Sequence, residues 1–190
     1  MTSITLKCEC GAVTGTAHNI TPKSGNRVVC CCSDCQAFAK FLETEDRTLD
    51  GFGGTEIYQT SPSQIKIKTG HENLSSMKLT PKGLLRWYTS CCNTPVANTM
   101  GGKLAFCGII HSFTNIPDRE ETLGDVRAYC QTQDAIGTPD HPKAHPKFPA
   151  GITLRILRQM VHWKVQGKDT PSPFYNEAQN PVAKPLILES

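Results

Sequence analysis

The sequence predicts a mainly β protein of short antiparallel strands with a C-terminal helical extension. Several short runs alternate between apolar and polar side chains, as strands with one buried face do. Turn-forming residues separate these runs about every eight to twelve residues, which is typical of a sandwich or tent of strands. Glycine and proline are plentiful, with 15 and 13 residues in a chain of 190, and this favours strands and loops over a helical bundle.

Most of the predicted strands lie before residue 110. Ile4, Leu6 and Cys8 share one face of a first strand. Further strands are predicted over residues 27–32, 55–60, 64–69, 75–80, 84–89 and 104–110. A short helix is predicted from Cys35 to Leu42, with Ser33-Asp34 as the turn and N-cap before it.

The composition changes near residue 131, and we expect a boundary there. Residues 1–130 form the predicted β domain, and residues 131–190 form a proline-rich linker, a helix and a tail that packs on the domain. Helical spacing extends from Thr153 to Val165. One stripe of this helix comprises Ile156, Leu157, Met160, Val161 and Lys164. The tail from Pro181 to Leu188 is apolar enough to pack.

The charge pattern excludes several classes of partner. The formal net charge is +3, with acids and bases mixed along the chain, so we expect no nucleic acid and no membrane as partner. No stretch approaches the roughly 18 apolar residues of a membrane span. Residues 1–7 lack the apolar segment of a signal peptide, and we therefore expect a cytoplasmic protein. An oligomer is compatible with the sequence.

Ten cysteines are the unusual feature of the composition. Disulfides are rare in reducing compartments, so the expected uses are metal ligation, catalysis or apolar packing. Cys107 and Cys130 stand alone, and we expect both to be buried apolar residues. A redox pair of Cys32 and Cys35 is an alternative use, although the βαβ context of such pairs is missing.

Four of the cysteines form the cluster Cys30-Cys31-Cys32-Ser33-Asp34-Cys35. Because residues i and i+2 of a strand share a face, Cys30 and Cys32 point together and Cys31 points away. The turn that follows brings Cys35 back toward Cys32. Three soft thiolates suit zinc, and three protein ligands leave the fourth position for water or substrate, as in catalytic zinc sites. Cys30, Cys32 and Cys35 are therefore the candidate catalytic ligands.

A second metal site combines Cys8 and Cys10 with Cys91 and Cys92. Gly11 provides the sharp turn that lets the first pair close on one ion. A closed site of four sulfurs would be structural and would tie the first strand to the middle of the chain. The side chains of adjacent cysteines point apart in an extended segment. We therefore favour Cys92 as the ligand, and Cys91 is either a ligand or a buried apolar residue. With both sites, two zinc ions are expected.

The histidines add one candidate. His111 follows an apolar strand and can act as an acid or base at the pocket. His141 and His145 have the i, i+4 spacing of helical metal ligands, but prolines follow both of them. Since these prolines indicate a loop, we do not expect this pair to bind metal.

Three cysteine motifs follow one another along the chain. Residues 8–11 read C-E-C-G, residues 30–36 read C-C-C-S-D-C-Q, and residues 88–95 read Y-T-S-C-C-N-T-P. In this order they resemble the C-x-C-G, C-H-C-S-x-C-Q and F-C-x-x-C-G-T-P motifs of the glutathione-dependent formaldehyde-activating enzyme family, the GFA/CENP-V family. Thr89 stands where that family has its first late cysteine, Cys31 where it has histidine, and Asn93 where it has glycine.

The resemblance implies a β-tent, GFA-like zinc-binding fold with one structural and one catalytic zinc ion. By position, the structural ligands would be Cys8, Cys10 and Cys92, with Cys91 as the candidate fourth. The catalytic ligands would be Cys30, Cys32 and Cys35.

The activity implied by the resemblance is that of a zinc-dependent carbon–sulfur lyase-like enzyme. Its substrate would be a small thiol adduct such as S-(hydroxymethyl)glutathione. The alternative function is a non-catalytic zinc-binding scaffold or interaction module. That alternative requires a fourth protein ligand at the middle site, from Cys31 or from a histidine of the tail.

Overall fold

The computed structural model describes residues 3–188, which form a mainly β structure with two sheets. The strands are β1 Ile4–Lys7, β2 Thr14–Ala17, β3 Asn26–Cys30, β4 Thr55–Thr60, β5 Ile65–Thr69, β6 Leu74–Lys78, β7 Leu85–Thr89, β8 Pro95–Thr99, β9 Cys107–Ile110, β10 Thr114–Asn115, β11 Tyr129–Cys130 and β12 Leu186–Ile187. The helices are α1 Ser33–Phe41, α2 Glu45–Thr48, α3 Arg119–Leu123 and α4 Ala150–Val165.

The two sheets differ in size. The large sheet has the strand order β11-β3-β4-β9-β8-β7-β6-β12, and the small sheet has the order β10-β1-β2-β5. Neighbouring strands are antiparallel except for β11 on β3 and β12 on β6, which are parallel. The prediction of a mainly β fold is therefore confirmed, with two short parallel pairs at the edges of the large sheet.

Both faces of the large sheet are covered. One face packs on the small sheet, where Leu6 and Ile67 join Trp87 and Ile109 in one apolar cluster. The opposite face contacts α1 and α4, and Val28 lies in a separate cluster there. Because both faces are buried, β3, β8 and β9 are buried along their whole length and show no alternation. This burial explains why the sequence pattern did not reveal β8.

Helix α4 lies over the large sheet with few buried side chains. Trp163 is the buried residue of α4. Ile156, Leu157 and Met160 of the predicted stripe border a cavity, and Leu157 and Val161 are 53% and 64% exposed. The stripe is therefore only partly covered, because α4 lies over a cavity. Neither α4 nor another helix of residues 3–188 is long and apolar enough to cross a bilayer.

The segment after α4 joins the core between the sheets. The rings of Phe174 and Tyr175 lie 5.0 and 5.9 Å from the ring of Trp87, measured between centroids. Strand β12 then extends the large sheet beside β6. The domain boundary expected near residue 131 stays a prediction. Residues 1 and 2 of the predicted β domain, and residues 189 and 190 of the predicted tail, lie outside the described residues.

Candidate metal centres

Three cysteine sulfurs converge where β3 passes into α1. Cys30 is the last residue of β3, Cys32 is the N-cap of α1, and Cys35 lies in its first turn. Their Sγ atoms all lie within 4.8 Å of one another. Cys31 is buried outside this group, and its N–H donates to the carbonyl of Cys130 at 2.9 Å. We call Cys30, Cys32 and Cys35 the three-cysteine group.

The turn that closes this group is the N-terminus of α1. The carbonyl of Cys32 accepts hydrogen bonds from the N–H groups of Cys35 at 3.0 Å and Gln36 at 3.2 Å. The side chain of Gln36 donates to the carbonyl of Cys31 at 2.8 Å and so fixes the end of β3 on the helix. Ser33 therefore begins the helix instead of capping it, which corrects the predicted start at Cys35.

A buried cation lies beside the three-cysteine group. Arg86 of β7 is 2% exposed, and its Nη1 donates to Sγ of Cys35 at 3.8 Å. Its Nη2 donates to Oδ2 of Asp34 at 3.4 Å, and the guanidinium lies 5.5 Å from the ring centroid of Phe38. Since a buried guanidinium needs compensating negative charge, Arg86 favours thiolates in this group. Three thiolates, one divalent zinc ion and Arg86 sum to zero charge.

The three thiols shift one another's pKa values. Contacts with Cys30 and Cys35 lower the pKa of Cys32 to about 2. Contacts with Cys32 and Cys35, together with burial, raise the pKa of Cys30. The pKa of Cys35 is lowered by Cys30 but raised by Cys32 and by burial, and the result is about 11. A divalent metal ion held by Cys30, Cys32 and Cys35 would supply the positive charge that three adjacent thiolates need.

The three-cysteine group opens onto a cavity of about 410 Å³ between the large sheet and α4. Its walls are mainly apolar. They come from Val28 and Ile57 of the sheet, from Phe106 just before β9, and from Ile156 and Met160 of α4. Within residues 3–188, no fourth cysteine, histidine or carboxylate joins the group. A zinc ion held by three sulfurs would therefore keep one coordination position for water or a ligand.

The second group consists of Cys8, Cys10, Cys91 and Cys92, whose Sγ atoms also lie within 4.8 Å of one another. The Sγ of Cys91 lies 3.9 Å from that of Cys8, 3.4 Å from that of Cys10 and 3.8 Å from that of Cys92. Sulfurs placed tetrahedrally about 2.3 Å from zinc are about 3.8 Å apart. The spacing of this four-cysteine group therefore fits a closed, structural zinc site.

A tight loop between β7 and β8 lets two adjacent cysteines turn toward one point. The N–H of Asn93 donates to the carbonyl of Thr89 at 2.8 Å, and the N–H of Thr89 donates to the carbonyl of Thr94 at 3.0 Å. Asn93 has a φ of 55°, in the left-handed region that asparagine tolerates. Because this segment is not extended, Sγ of Cys91 lies with those of the other three candidate ligands. The apolar filling role considered for Cys91 is wrong, because Cys91 is exposed.

Thr89 and Thr94 support a ligand of the four-cysteine group. Their hydroxyls lie 3.4 and 3.2 Å from Sγ of Cys92. Burial acts to raise the pKa of Cys92, but hydrogen bonds from these two hydroxyls lower it, to about 5. The N–H of Glu9 donates to the Thr94 hydroxyl at 3.0 Å and joins the first cysteine motif to the loop. Thr89, which stands at a cysteine position of the GFA pattern, thus binds the sulfur of a candidate ligand.

Three cysteines lie outside both groups. Cys31, Cys107 and Cys130 are all buried. Burial raises their pKa values, to about 11 for Cys31 and about 12 for Cys130. All three are therefore neutral thiols at pH 7, as expected for apolar packing.

The candidate histidines lie away from the cavity. Nδ1 of His111 is 3.3 Å from the carbonyl oxygen of Glu56, and His111 is not among the residues that border the cavity. The acid or base role considered for His111 is therefore not supported. In the described part of the chain, His141 and His145 belong to neither group of ligands.

Sequence reasoning missed Arg86 and the polar residues of the cavity floor. Leu85 and Trp87 are buried on both sides of Arg86 in sequence, so alternation turns Arg86 to the other face of β7. That direction was visible in the sequence. The burial of the second face depends on α1 and α4, which lie far away along the chain and which no local pattern connects to β7.

Comparisons with known proteins give one family. The family described as "Family of unknown function (DUF6151)" matches residues 1–185. No curated protein matches the chain. A crystal structure of a Rhodobacter sphaeroides protein, a structural genomics target, resembles 65% of this chain and 97% of its own, with 16% identity and a TM-score of 0.44.

Proposed function

Because the chain belongs to DUF6151, a family of unknown function, we propose a function from the site itself. We propose a zinc-dependent carbon–sulfur lyase-like enzyme that acts on a small thiol adduct. The three cysteine motifs carry the proposed kinship with the GFA family, and with it the proposal that the two sheets form a β-tent. S-(hydroxymethyl)glutathione is the adduct that this kinship suggests.

One observation carries the proposal: three cysteine sulfurs, and no fourth ligand among residues 3–188, border a cavity. Structural zinc sites are closed by four protein ligands, whereas catalytic sites use three. The four-cysteine group has the closed pattern, and the three-cysteine group has the open one. This difference supports chemistry at the three-cysteine group.

The donor set at the open site fits zinc. Thiolates are soft ligands that suit this ion, and Arg86 balances the net charge of three thiolates and a divalent cation. Cys30, Cys32 and Cys35 would hold the ion, and Arg86 and the N-terminus of α1 would orient and stabilise these ligands. Zinc bound there would supply a positive charge that stabilises a thiolate at neutral pH.

The proposed reaction cleaves a hydroxymethyl thioether. The carbon–sulfur bond breaks and its electron pair stays on sulfur, while the hydroxyl proton leaves to water and a carbonyl group forms. In the reverse direction a thiolate adds to the aldehyde carbon, and the oxygen takes up a proton. The apolar walls from Ile57 and Met160 keep bulk water from the sulfur, and the guanidinium of Arg86 lowers the energy of the thiolate.

The test measures adduct exchange by NMR in the zinc-loaded protein. Formaldehyde is mixed with glutathione or with the neutral thiol N-acetylcysteamine, and exchange between the free thiol and its adduct is followed. We expect faster exchange with the wild-type protein than with Cys35→Ser at equal concentration. Unchanged exchange for both thiols in a protein that carries two zinc ions would contradict the proposal.

Cobalt substitution separates the enzyme from the non-catalytic scaffold. At an open site, an added thiol enters the coordination shell and changes the visible spectrum of the bound cobalt. A closed site, with a fourth protein ligand, leaves the spectrum unchanged. We expect the change, and we expect it to disappear in Cys35→Ser.

A further inference from the structure

Two carboxamides lie on the floor of the cavity beneath α4. Gln59 of β4 and Asn98 of β8 both lie opposite Gly108 of β9, so the three residues form one row across neighbouring strands. All three border the cavity of the three-cysteine group. A Cβ atom at Gly108 would lie 2.8 Å from Cγ2 of Ile57, so the glycine keeps the space between the two amides open.

Both carboxamides are buried, and among residues 3–188 their oxygen atoms have no hydrogen-bond partner. Gln59 is 6% exposed and Asn98 is 4% exposed, and neither Oε1 of Gln59 nor Oδ1 of Asn98 accepts a hydrogen bond. Burying an amide without a partner is costly, and folded proteins contain few such groups. Half a turn of either amide about its last side-chain bond exchanges its oxygen and nitrogen, and a ligand in the cavity would then supply the missing partner.

The next residue of the same row, Asn26, has a side-chain amide that is hydrogen-bonded to α4. Asn26 lies opposite Gln59 in β3. Its Nδ2 donates to Oε1 of Gln159 at 2.6 Å, and its Oδ1 accepts from Nε of Arg155 at 2.7 Å, both on α4. The amide that α4 contacts is thus fully partnered, whereas Gln59 and Asn98 keep their hydrogen-bonding capacity in the cavity.

The charges around the cavity disfavour an acidic ligand. Asp34 and Arg86 are the charged residues of the described chain that border it, and they form an ion pair with an N–O distance of 3.4 Å. Arg86 also donates to Cys35. No free cation therefore remains for a carboxylate, whereas glutathione has two carboxylates and an ammonium group. The volume of about 410 Å³ suits a compact ligand.

We infer that the cavity takes a neutral, mainly apolar thiol whose amide or hydroxyl group binds Gln59 and Asn98. This inference rests on the proposed function, because it assigns the thiol that reaches the three-cysteine group. A carboxamide offers both a donor and an acceptor, so a neutral amide on the ligand can satisfy either orientation of the two side chains. Glutathione is excluded as the preferred thiol.

The test compares matched thiols by calorimetry with the zinc-loaded full chain. The probes are 4-(mercaptomethyl)benzamide, its carboxylate analogue 4-(mercaptomethyl)benzoate, phenylmethanethiol and glutathione. We expect the benzamide to bind about tenfold more tightly than phenylmethanethiol, as one or two added hydrogen bonds allow. We expect the benzoate and glutathione to bind at least about a hundredfold more weakly than the benzamide, because their charge would be buried unpaired.

Two variants assign the effect to the floor residues. In Gln59→Met and Asn98→Leu, the tenfold preference for the benzamide over phenylmethanethiol should fall to about twofold or less. Gln166→Met, which changes an exposed glutamine after α4, is the matched control and should keep the preference. Since the replaced groups have no partners, both floor variants should remain folded. If one does not fold, the probe series on the wild-type protein still decides.

The outcomes separate this inference from the proposed function. Equal binding of the benzamide and the benzoate, or tighter binding of glutathione, overturns the inference even where adduct exchange is accelerated. If the benzamide shows the expected preference but its exchange with formaldehyde is not accelerated, the ligand class stands and the proposed lyase function fails.

Discussion

The guanidinium of Arg86 lies 3.8 Å from Sγ of Cys35, although the two residues are 51 positions apart in the sequence. This contact joins strand β7 of the large sheet to the first turn of α1. It places a positive charge from another part of the fold beside the three-cysteine group.

Replacement of Arg86 should weaken metal binding at the three-cysteine group alone. In Arg86→Met, we expect zinc affinity at this site to fall about ten- to a hundredfold, since the cation that stabilises the thiolates is removed. Zinc competition with a chelator measures the change. Arg158→Met, at an exposed arginine of α4, is the control and should bind both ions as the wild type does. Unchanged affinity in Arg86→Met would show that the contact has no effect on the site.

The two cysteine groups should respond differently to loss of a ligand. Cys10→Ser should lose one zinc ion and a large part of the free energy of unfolding, because structural zinc contributes directly to folding. Cys35→Ser should lose the other ion and any activity while the protein stays folded. Metal analysis and urea unfolding measure both effects. Cys31→Ala, which changes a cysteine between two candidate ligands in sequence, is the control and should keep both ions. If Cys10→Ser and Cys35→Ser lower the free energy of unfolding equally, the division into a structural and a catalytic site is wrong.

The packing of Phe174 on Trp87 should make the tail necessary for stability. Phe174 is fully buried, and removing a buried aromatic ring costs about 3–5 kcal/mol. We therefore expect Phe174→Ala to lower the free energy of unfolding by this amount in urea. Phe52→Ala, at a partly exposed phenylalanine, should change it by less than about 1 kcal/mol. A small effect at Phe174 would mean that the tail does not belong to the cooperative core.

Burial of His111 should make the fold sensitive to mild acid. Burial lowers the pKa of His111 in the folded protein, so the unfolded chain binds the proton more readily. This histidine therefore destabilises the fold as pH falls below about 6.5, the ordinary pKa of histidine. Urea unfolding between pH 5.5 and 7.5 should show a smaller loss of stability in His111→Gln than in the wild type. His162→Gln, at an exposed histidine of α4, should follow the wild type.

Local sequence spacing was enough to predict much of the strand pattern and the convergence of Cys30, Cys32 and Cys35. The alternation of Ile65-Lys66-Ile67-Lys68 gave strand β5, because one face of it meets water. Strand geometry also separated Cys31 from Cys30 and Cys32. Each of these inferences uses residues within one strand or turn, where the backbone itself fixes the directions of the side chains.

The missing parts depend on contacts between distant segments. Nothing near Asn93 in sequence shows that a left-handed residue turns Cys91 and Cys92 toward one point. The unpartnered amide of Asn98 becomes notable only when α4, more than fifty residues later, closes the cavity above it. Strand β8 was missed for the same reason, since helices and a second sheet bury both of its faces.

The separation of Cys8 and Cys91 by 83 positions sets an order of events during synthesis. The three-cysteine group is contained within residues 30–35, so all its sulfurs leave the ribosome together. Cys8 and Cys10 emerge early but must wait for the loop between β7 and β8. For that interval they are unprotected thiols, open to oxidation or to a foreign metal ion. We therefore expect the yield of correctly folded chains to depend on the metal ions and reductant present during translation.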